Sequence, residues 1–113
     1  MGIDVGSTTV KVVVLDDNRN ILFSEYRRHL SDIKSTVAGL FKEVYETIGG
    51  RRFTVVITGS GGLLLSNSLG LPFVQEVIAN KTAITEFLPE TDVVIELGGE
   101  DAKILYLSGG LEQ

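Results

Sequence analysis

The chain has 113 residues, 43% of them hydrophobic and 22% charged, which suits one ordinary folded domain and excludes a disordered chain. The formal net charge is -5, with Lys and Arg scattered apart from the pairs Arg27-Arg28 and Arg51-Arg52, which argues against a nucleic-acid surface. Cysteine is absent and His29 is the single histidine, so disulfides, thiolate metal sites and a cysteine nucleophile are excluded within this sequence, and hard cations with oxygen ligands are the metals to consider.

Residues 3–5 read as a short buried strand, Gly6-Ser7-Thr8 as a turn and residues 10–15 as a β-branched second strand. Asp16-Asp17-Asn18-Arg19-Asn20 is a polar turn and residues 21–27 a third strand, so the opening is an antiparallel meander. The period then changes: Ile33, Val37, Leu40, Val44 and Ile48 mark an amphipathic helix, with Ser31 or Asp32 as its cap and Gly49-Gly50 as its stop. Residues 53–58 form a strand of central type, followed by Gly59-Ser60-Gly61-Gly62 and a short helix over 63–69. Residues 73–78 read as a strand opened by Pro72, and 79–88 as a helix stopped before Pro89. Residues 93–97 and 102–107 are two more strands. The expectation is an α/β chain with helices packed on a mixed sheet.

A repeat is the most informative feature. Ile3-Asp4-Val5-Gly6-Ser7-Thr8-Thr9-Val10-Lys11 and its continuation to Leu15 overlay, without gaps, a segment from Ile95 to Leu107 that begins Ile95-Glu96-Leu97-Gly98-Gly99-Glu100-Asp101-Ala102-Lys103. Ile3/Ile95, Gly6/Gly98, Lys11/Lys103 and Leu15/Leu107 are identical, and Asp4 meets Glu96. Coincidence between two glycine hairpins is the bland alternative; agreement of acid, glycine and lysine in one phase favours duplication. On that reading residues 1–90 are a first domain and 91–113 the opening hairpin of a second, so the sequence is expected to be the N-terminal fragment of a longer protein.

A glycine turn exposes backbone N–H groups and lets a phosphate approach closely. Ser7 and Thr8 add hydroxyls, and Thr9 either does the same or points into the sheet. Asp4, ending its strand, is placed to hold Mg²⁺ through water. Two such turns across a cleft would grip a triphosphate, and charge neutralisation with an aligned water is most of what phosphoryl transfer requires. No Walker-type lysine motif is present.

These residues resemble a known family. Met1-Gly2-Ile3-Asp4-Val5-Gly6-Ser7-Thr8-Thr9 is similar to the first phosphate motif of the actin, sugar-kinase and heat-shock ATPase superfamily, and Glu96-Leu97-Gly98-Gly99-Glu100-Asp101-Ala102-Lys103 to its second. Ile57-Thr58-Gly59-Ser60-Gly61-Gly62 and Gln75-Glu76-Val77-Ile78-Ala79-Asn80 resemble, in order and spacing, the activator ATPases of 2-hydroxyacyl-CoA dehydratases and benzoyl-CoA reductase. The resemblance implies a ribonuclease H-like sheet of order 3-2-1-4-5 with its first three strands antiparallel. It implies ATP and Mg²⁺ as ligands. Phosphate contacts fall to Gly6, Ser7, Thr8, Thr9 and Lys11 in the first motif and to Gly98, Gly99, Glu100 and Asp101 in the second. Asp4 is the implied metal residue, and Glu96 and Asn80 are the implied catalytic residues. It further implies a homodimer that drives a low-potential electron into a dehydratase or reductase component from a 4Fe-4S cluster, whose cysteines lie beyond this sequence. Two positions depart from the pattern: Glu96 stands where Asp is usual, and Asn80 where many activators have His.

Alternatives stay beside these readings. A small-molecule kinase and an actin-like scaffold ATPase share the fold, although no Asp follows the residue 53–58 strand as a kinase would need. Lys11 and Lys103 contact phosphate or point to solvent. Residues 59–62 are a plain turn or a helix N-terminus facing ligand. Glu76 reads as a sheet-edge charge rather than a catalytic group, and His29 as a solvated surface residue. No apolar run approaches the roughly 18 residues that span a bilayer, and the start lacks a basic segment followed by an apolar one, so a cytoplasmic protein without membrane or nucleic-acid partners is expected. Alone, the fragment is expected to bind ATP weakly and not to turn it over.

Overall fold

The computed structural model describes residues 1–98, 101–108 and 111–112. They fall into two compact units, Met1–Val74 and Gln75–Gln113, each described by itself.

The first unit begins with β1 (Gly2–Val5), β2 (Thr9–Leu15) and β3 (Ile21–Arg28), then α1 (Ile33–Ile48), β4 (Val56–Thr58) and α2 (Gly62–Leu69). The sheet order is β3-β2-β1-β4; β1, β2 and β3 are antiparallel neighbours and β4 runs parallel to β1. Strand alternation explains the core. Ile3, Val5, Val10, Val12, Val14 and Ile57 share one face and are fully buried, while Asp4, Lys11 and Thr58 lie on the other. Onto the buried face α1 brings Val37, Leu40 and Val44, and α2 brings Leu65. Asp32 caps α1 by accepting from Ser35 N–H at 3.2 Å, and Gly49 at φ 83° ends it. The β2–β3 turn is tied by Asp16, whose carboxylate accepts from Asn18 N–H and Asn20 N–H, both at 2.8 Å.

The expected fifth strand over 73–78 does not form. Phe73 makes a single parallel bridge to Ile57, with Ile57 N–H donating to Pro72 O and Val74 N–H to Ile57 O. That is the fifth place in the expected order, reduced to one residue pair. From Glu76 the chain is already helical, because the acidic Glu76 suits the first turn of a helix and Gln75 at φ -63°, ψ 146° provides the extended residue before it. The fourth strand is also shorter than expected, although Met1 extends the parallel alignment, its ammonium donating to Thr54 O at 2.7 Å and its carbonyl accepting from Val56 N–H at 3.0 Å.

The second unit holds α3 (Glu76–Phe87), β5 (Val93–Leu97), β6 (Ala102–Ser108) and a short β7 (Leu111–Glu112), in the antiparallel order β5-β6-β7. Side chains of α3 bond to the second hairpin, Asn80 to Glu96 and Glu76 to Lys103. The overlaid hairpins share one register. Asp4 faces Lys11 as Glu96 faces Lys103, Ile3 faces Val12 as Ile95 faces Ile104, and Val5 faces Val10 as Leu97 faces Ala102. The turn bond recurs too: Gly6 N–H donates to Thr9 O and Gly98 N–H to Asp101 O, both at 2.8 Å. Among the described residues no helix is long and apolar enough to cross a membrane.

Candidate functional site

In the first unit the site residues gather where β1 and β4 end and β2 begins. Asp4 is the penultimate residue of β1, flanked in register by Lys11 of β2 and Thr58 of β4. Lys11 Nζ lies 3.4 Å from Asp4 Oδ2 and 5.9 Å from the centre of the Tyr26 ring. The lysine is half exposed, so this pair is a weak, water-screened one that leaves Asp4 open to another cation. On the other side, the Thr58 hydroxyl oxygen is buried and has no hydrogen-bond partner among the described residues.

The turn after Asp4 is closed by the Gly6–Thr9 bond, with Ser7 and Thr8 exposed at its tip. No hydrogen bond takes up Ser7 N–H or Thr8 N–H among the described residues, so two backbone donors and two hydroxyls are available to an anion. Against this turn stands the start of α2. Gly61 N–H donates to Val5 O at 2.8 Å and Gly62 N–H to Gly59 O at 3.0 Å, which tethers the residue 59–62 turn to the end of β1. Gly59 has φ 100°, and a Cβ there would meet Asp4 Oδ1 at 2.5 Å and the Val5 carbonyl carbon at 2.7 Å. Only glycine satisfies both the conformation and the approach.

His29 departs from expectation. Its surface is 6% exposed rather than solvated. Its backbone N–H donates to Thr8 O at 3.1 Å, its Nε2 is 3.1 Å from Gly6 O, and its Nδ1 accepts from Ser31 N–H at 3.0 Å. In the β2–β3 register Thr9 faces Arg28, so His29 continues the ladder opposite Thr8.

In the second unit, Asn80 Nδ2 donates to Glu96 Oε2 at 2.7 Å, which joins the two expected catalytic residues directly. Lys103, register partner of Glu96, instead bonds the Glu76 carboxylate, and that hydrogen bond holds the lysine above its ordinary pKa against desolvation. Glu76 is thus the first residue of α3 and an ion-pair partner, not a sheet-edge charge. Gly98 and Asp101 close the second turn; Gly99 and Glu100, also expected to contact phosphate, lie outside the described residues. The described residues contain no group of three or more His, Asp or Glu side chains that could cage a metal.

No protein-family model matches the chain. It is 31% identical over 112 residues to the 2-hydroxyisocaproyl-CoA dehydratase activator of Clostridioides difficile, an alignment covering 95% of this chain and 40% of that protein. It is 29% identical over 118 residues to the activator of lactoyl-CoA dehydratase of Anaerotignum propionicum, covering 100% of this chain and 44% of that protein. The crystal structure of component A of the Acidaminococcus fermentans (R)-2-hydroxyglutaryl-CoA dehydratase superposes with TM-score 0.80 at 24% identity, covering 98% of this chain and 43% of that one, a likeness of fold. The structure of the Clostridium difficile activator with bound ADPNP gives TM-score 0.75 at 27% identity, covering 95% and 40%. The chain therefore spans about two-fifths of the length of the curated relatives it matches.

Proposed function

We propose that this chain, a homologue of the 2-hydroxyacyl-CoA dehydratase activators over about two-fifths of their length, is the ATP-gripping part of such an activator. The observation that carries the reading is the pair of hairpins sharing register, turn bond and acid position, in a chain similar to an activator structure with bound ADPNP. In this reading residues 1–90 and 91–113 are the first domain and the opening of its duplicated counterpart. Ser7 and Thr8 donate backbone N–H and hydroxyl groups to phosphate oxygens, with Gly6 and Thr9 shaping the turn. Asp4 holds a water of the Mg²⁺ shell, and Lys11 adds positive charge beside it. Gly98, Gly99, Glu100 and Asp101 form the second phosphate turn. Glu96 orients a water, and Asn80 fixes the Glu96 carboxylate rather than acting as a base, since an amide has no basic lone pair to take the proton.

The whole protein would hydrolyse ATP to drive a low-potential electron into a CoA-substrate dehydratase or reductase component, as a cytoplasmic homodimer. A 4Fe-4S cluster does not fit the donors of this chain, which holds no cysteine.

The test is titration of the ¹⁵N-labelled chain with Mg²⁺-ATP to millimolar concentration, following the amide signals of residues 6–9. Saturable shifts there are expected, weakened in Asp4→Asn. Unmoved signals at residues 6–9 would refute the proposal.

A further inference from the structure

We infer that His29 is the positioning residue of the first phosphate turn, an Nε2-protonated imidazole that holds the Gly6 carbonyl and so aims the Ser7 N–H at the anion. The inference rests on the phosphate-binding reading of residues 6–9.

The protonation state follows from the partners. A backbone N–H can only donate, so Nδ1, which receives Ser31 N–H at 3.0 Å, carries no proton. The neutral ring then has its proton on Nε2, the nitrogen 3.1 Å from Gly6 O, where an acceptor waits. Both ring nitrogens are used, and reversing the tautomer would set a bare nitrogen against a carbonyl and an N–H against an N–H.

The direction of Ser7 N–H follows from the peptide plane. Gly6 C=O and Ser7 N–H belong to one peptide unit, and no cis bond is present, so they point in opposite directions. Fixing Gly6 O toward His29, on the β3 side of the turn, turns Ser7 N–H away from that side. The His29 backbone adds a second anchor by donating to Thr8 O at 3.1 Å. One residue therefore satisfies the carbonyls on both sides of Ser7 and leaves that residue's donor without an internal partner. Such preorganisation removes the cost of ordering the turn when an anion arrives.

The ring is itself held by an unusual corner. Leu30 and Ser31 both adopt positive φ, 49° and 62°, a conformation that costs energy for non-glycine residues. Leu30 lies 83% exposed, so its burial does not stabilise this geometry. The corner is instead tied by Ser31 N–H to the imidazole and by Asp32 N–H to His29 O at 2.7 Å, beside the cap of α1. Strain retained in a corner whose bonds converge on one buried histidine is what a positioning role would require.

Two measurements on the 113-residue chain test this. The ring ¹⁵N spectrum of the wild type should show a protonated Nε2 and a bare Nδ1; the opposite tautomer overturns the inference whatever any variant does. The second compares Mg²⁺-ATP titrations of the wild type, His29→Leu, which fills the buried space without a donor, and His29→Gln, which restores an N–H. His29→Leu should bind about tenfold more weakly, the loss of one well-placed hydrogen bond's orienting effect, and His29→Gln should recover much of it. A folded His29→Leu variant that binds within about twofold of wild type, a difference below one hydrogen bond's worth, overturns the inference and leaves the proposed function standing. Wild-type signals at residues 6–9 that never move overturn both.

Discussion

Gly59 lies so close to Asp4 that a methyl group on its Cα would sit 2.5 Å from the Asp4 Oδ1 atom. The two residues come from adjacent parallel strands, Asp4 near the end of β1 and Gly59 just past β4, and the Val5 carbonyl lies in the same space. The carboxylate proposed to face Mg²⁺ is therefore shaped by a glycine more than fifty residues away, and that glycine also needs its φ of 100°.

Gly59→Ala should accordingly lower stability by about 3 kcal/mol, the combined cost of a left-handed alanine and a backbone clash. Urea unfolding would measure it. Gly49→Ala, also at positive φ but with nothing within 4 Å of the new Cβ, should cost clearly less. Equal losses at the two glycines would show that conformation alone, not the approach to Asp4, fixes residue 59.

Asp4→Asn, nearly isosteric and uncharged, should weaken Mg²⁺-ATP binding at least about tenfold, because charge on the metal's side of the phosphates carries the affinity. Lys11→Ala should change it by less than about threefold. Its contact with Asp4 is 3.4 Å long and half exposed, the kind of pair worth under about 1 kcal/mol. Amide titration of the two variants side by side checks the contrast, and similar small effects would tell against Asp4 as the metal residue.

Much of the first unit is legible in the chain because its signals are local. Alternation at Val10, Val12 and Val14 gives β2, and the Ile33-to-Ile48 stripe gives α1. The 73–78 region misleads because Val74, Val77 and Ile78 mimic a strand, and Gln75 offers no side-chain cap to announce a helix. The two glycine turns are visible through their repeat. His29 is not, since its burial arises from pairing across the β2–β3 ladder and from two positive-φ residues that no local pattern encodes. Nor is the Asn80–Glu96 bond visible, because it is a tertiary meeting of a helix and a hairpin.

The Arg27–Glu43 pair sets the acid side of stability. Arg27 of β3 forms a two-pronged hydrogen bond with Glu43 of α1, one prong at 3.0 Å, and holds that carboxyl below its usual range despite some desolvation. A carboxyl whose folded pKa is depressed contributes stability above its unfolded value, about 4.3, and loses it as pH falls through the folded value. The gap in thermal midpoint between wild type and Glu43→Gln should therefore be largest near neutrality and close on acidification. Asp16, lowered chiefly by Asn20 N–H, should add to the wild type's acid-side loss in the same direction.

The bond from Asn80 to Glu96 predicts a coupling confined to the second unit. A neutral donor at 2.7 Å from a carboxylate in a half-buried place is worth about 1 kcal/mol of interaction. A double-mutant cycle of Asn80→Ala and Glu96→Ala should return about that coupling in urea unfolding followed at the Val94 and Leu105 amides, which are paired across β5 and β6. Asn80 paired in a cycle with Lys103→Ala should return less, because Lys103 bonds Glu76 instead. The same bond fixes the direction of the Glu96 carboxylate. Glu96→Asp shortens the arm by one methylene and should break the bond to Asn80, giving the same stability loss in wild type and leaving none to lose in Asn80→Ala. A coupling near zero, or an undiminished effect of Glu96→Asp in the Asn80→Ala background, would show that the helix does not hold this carboxylate.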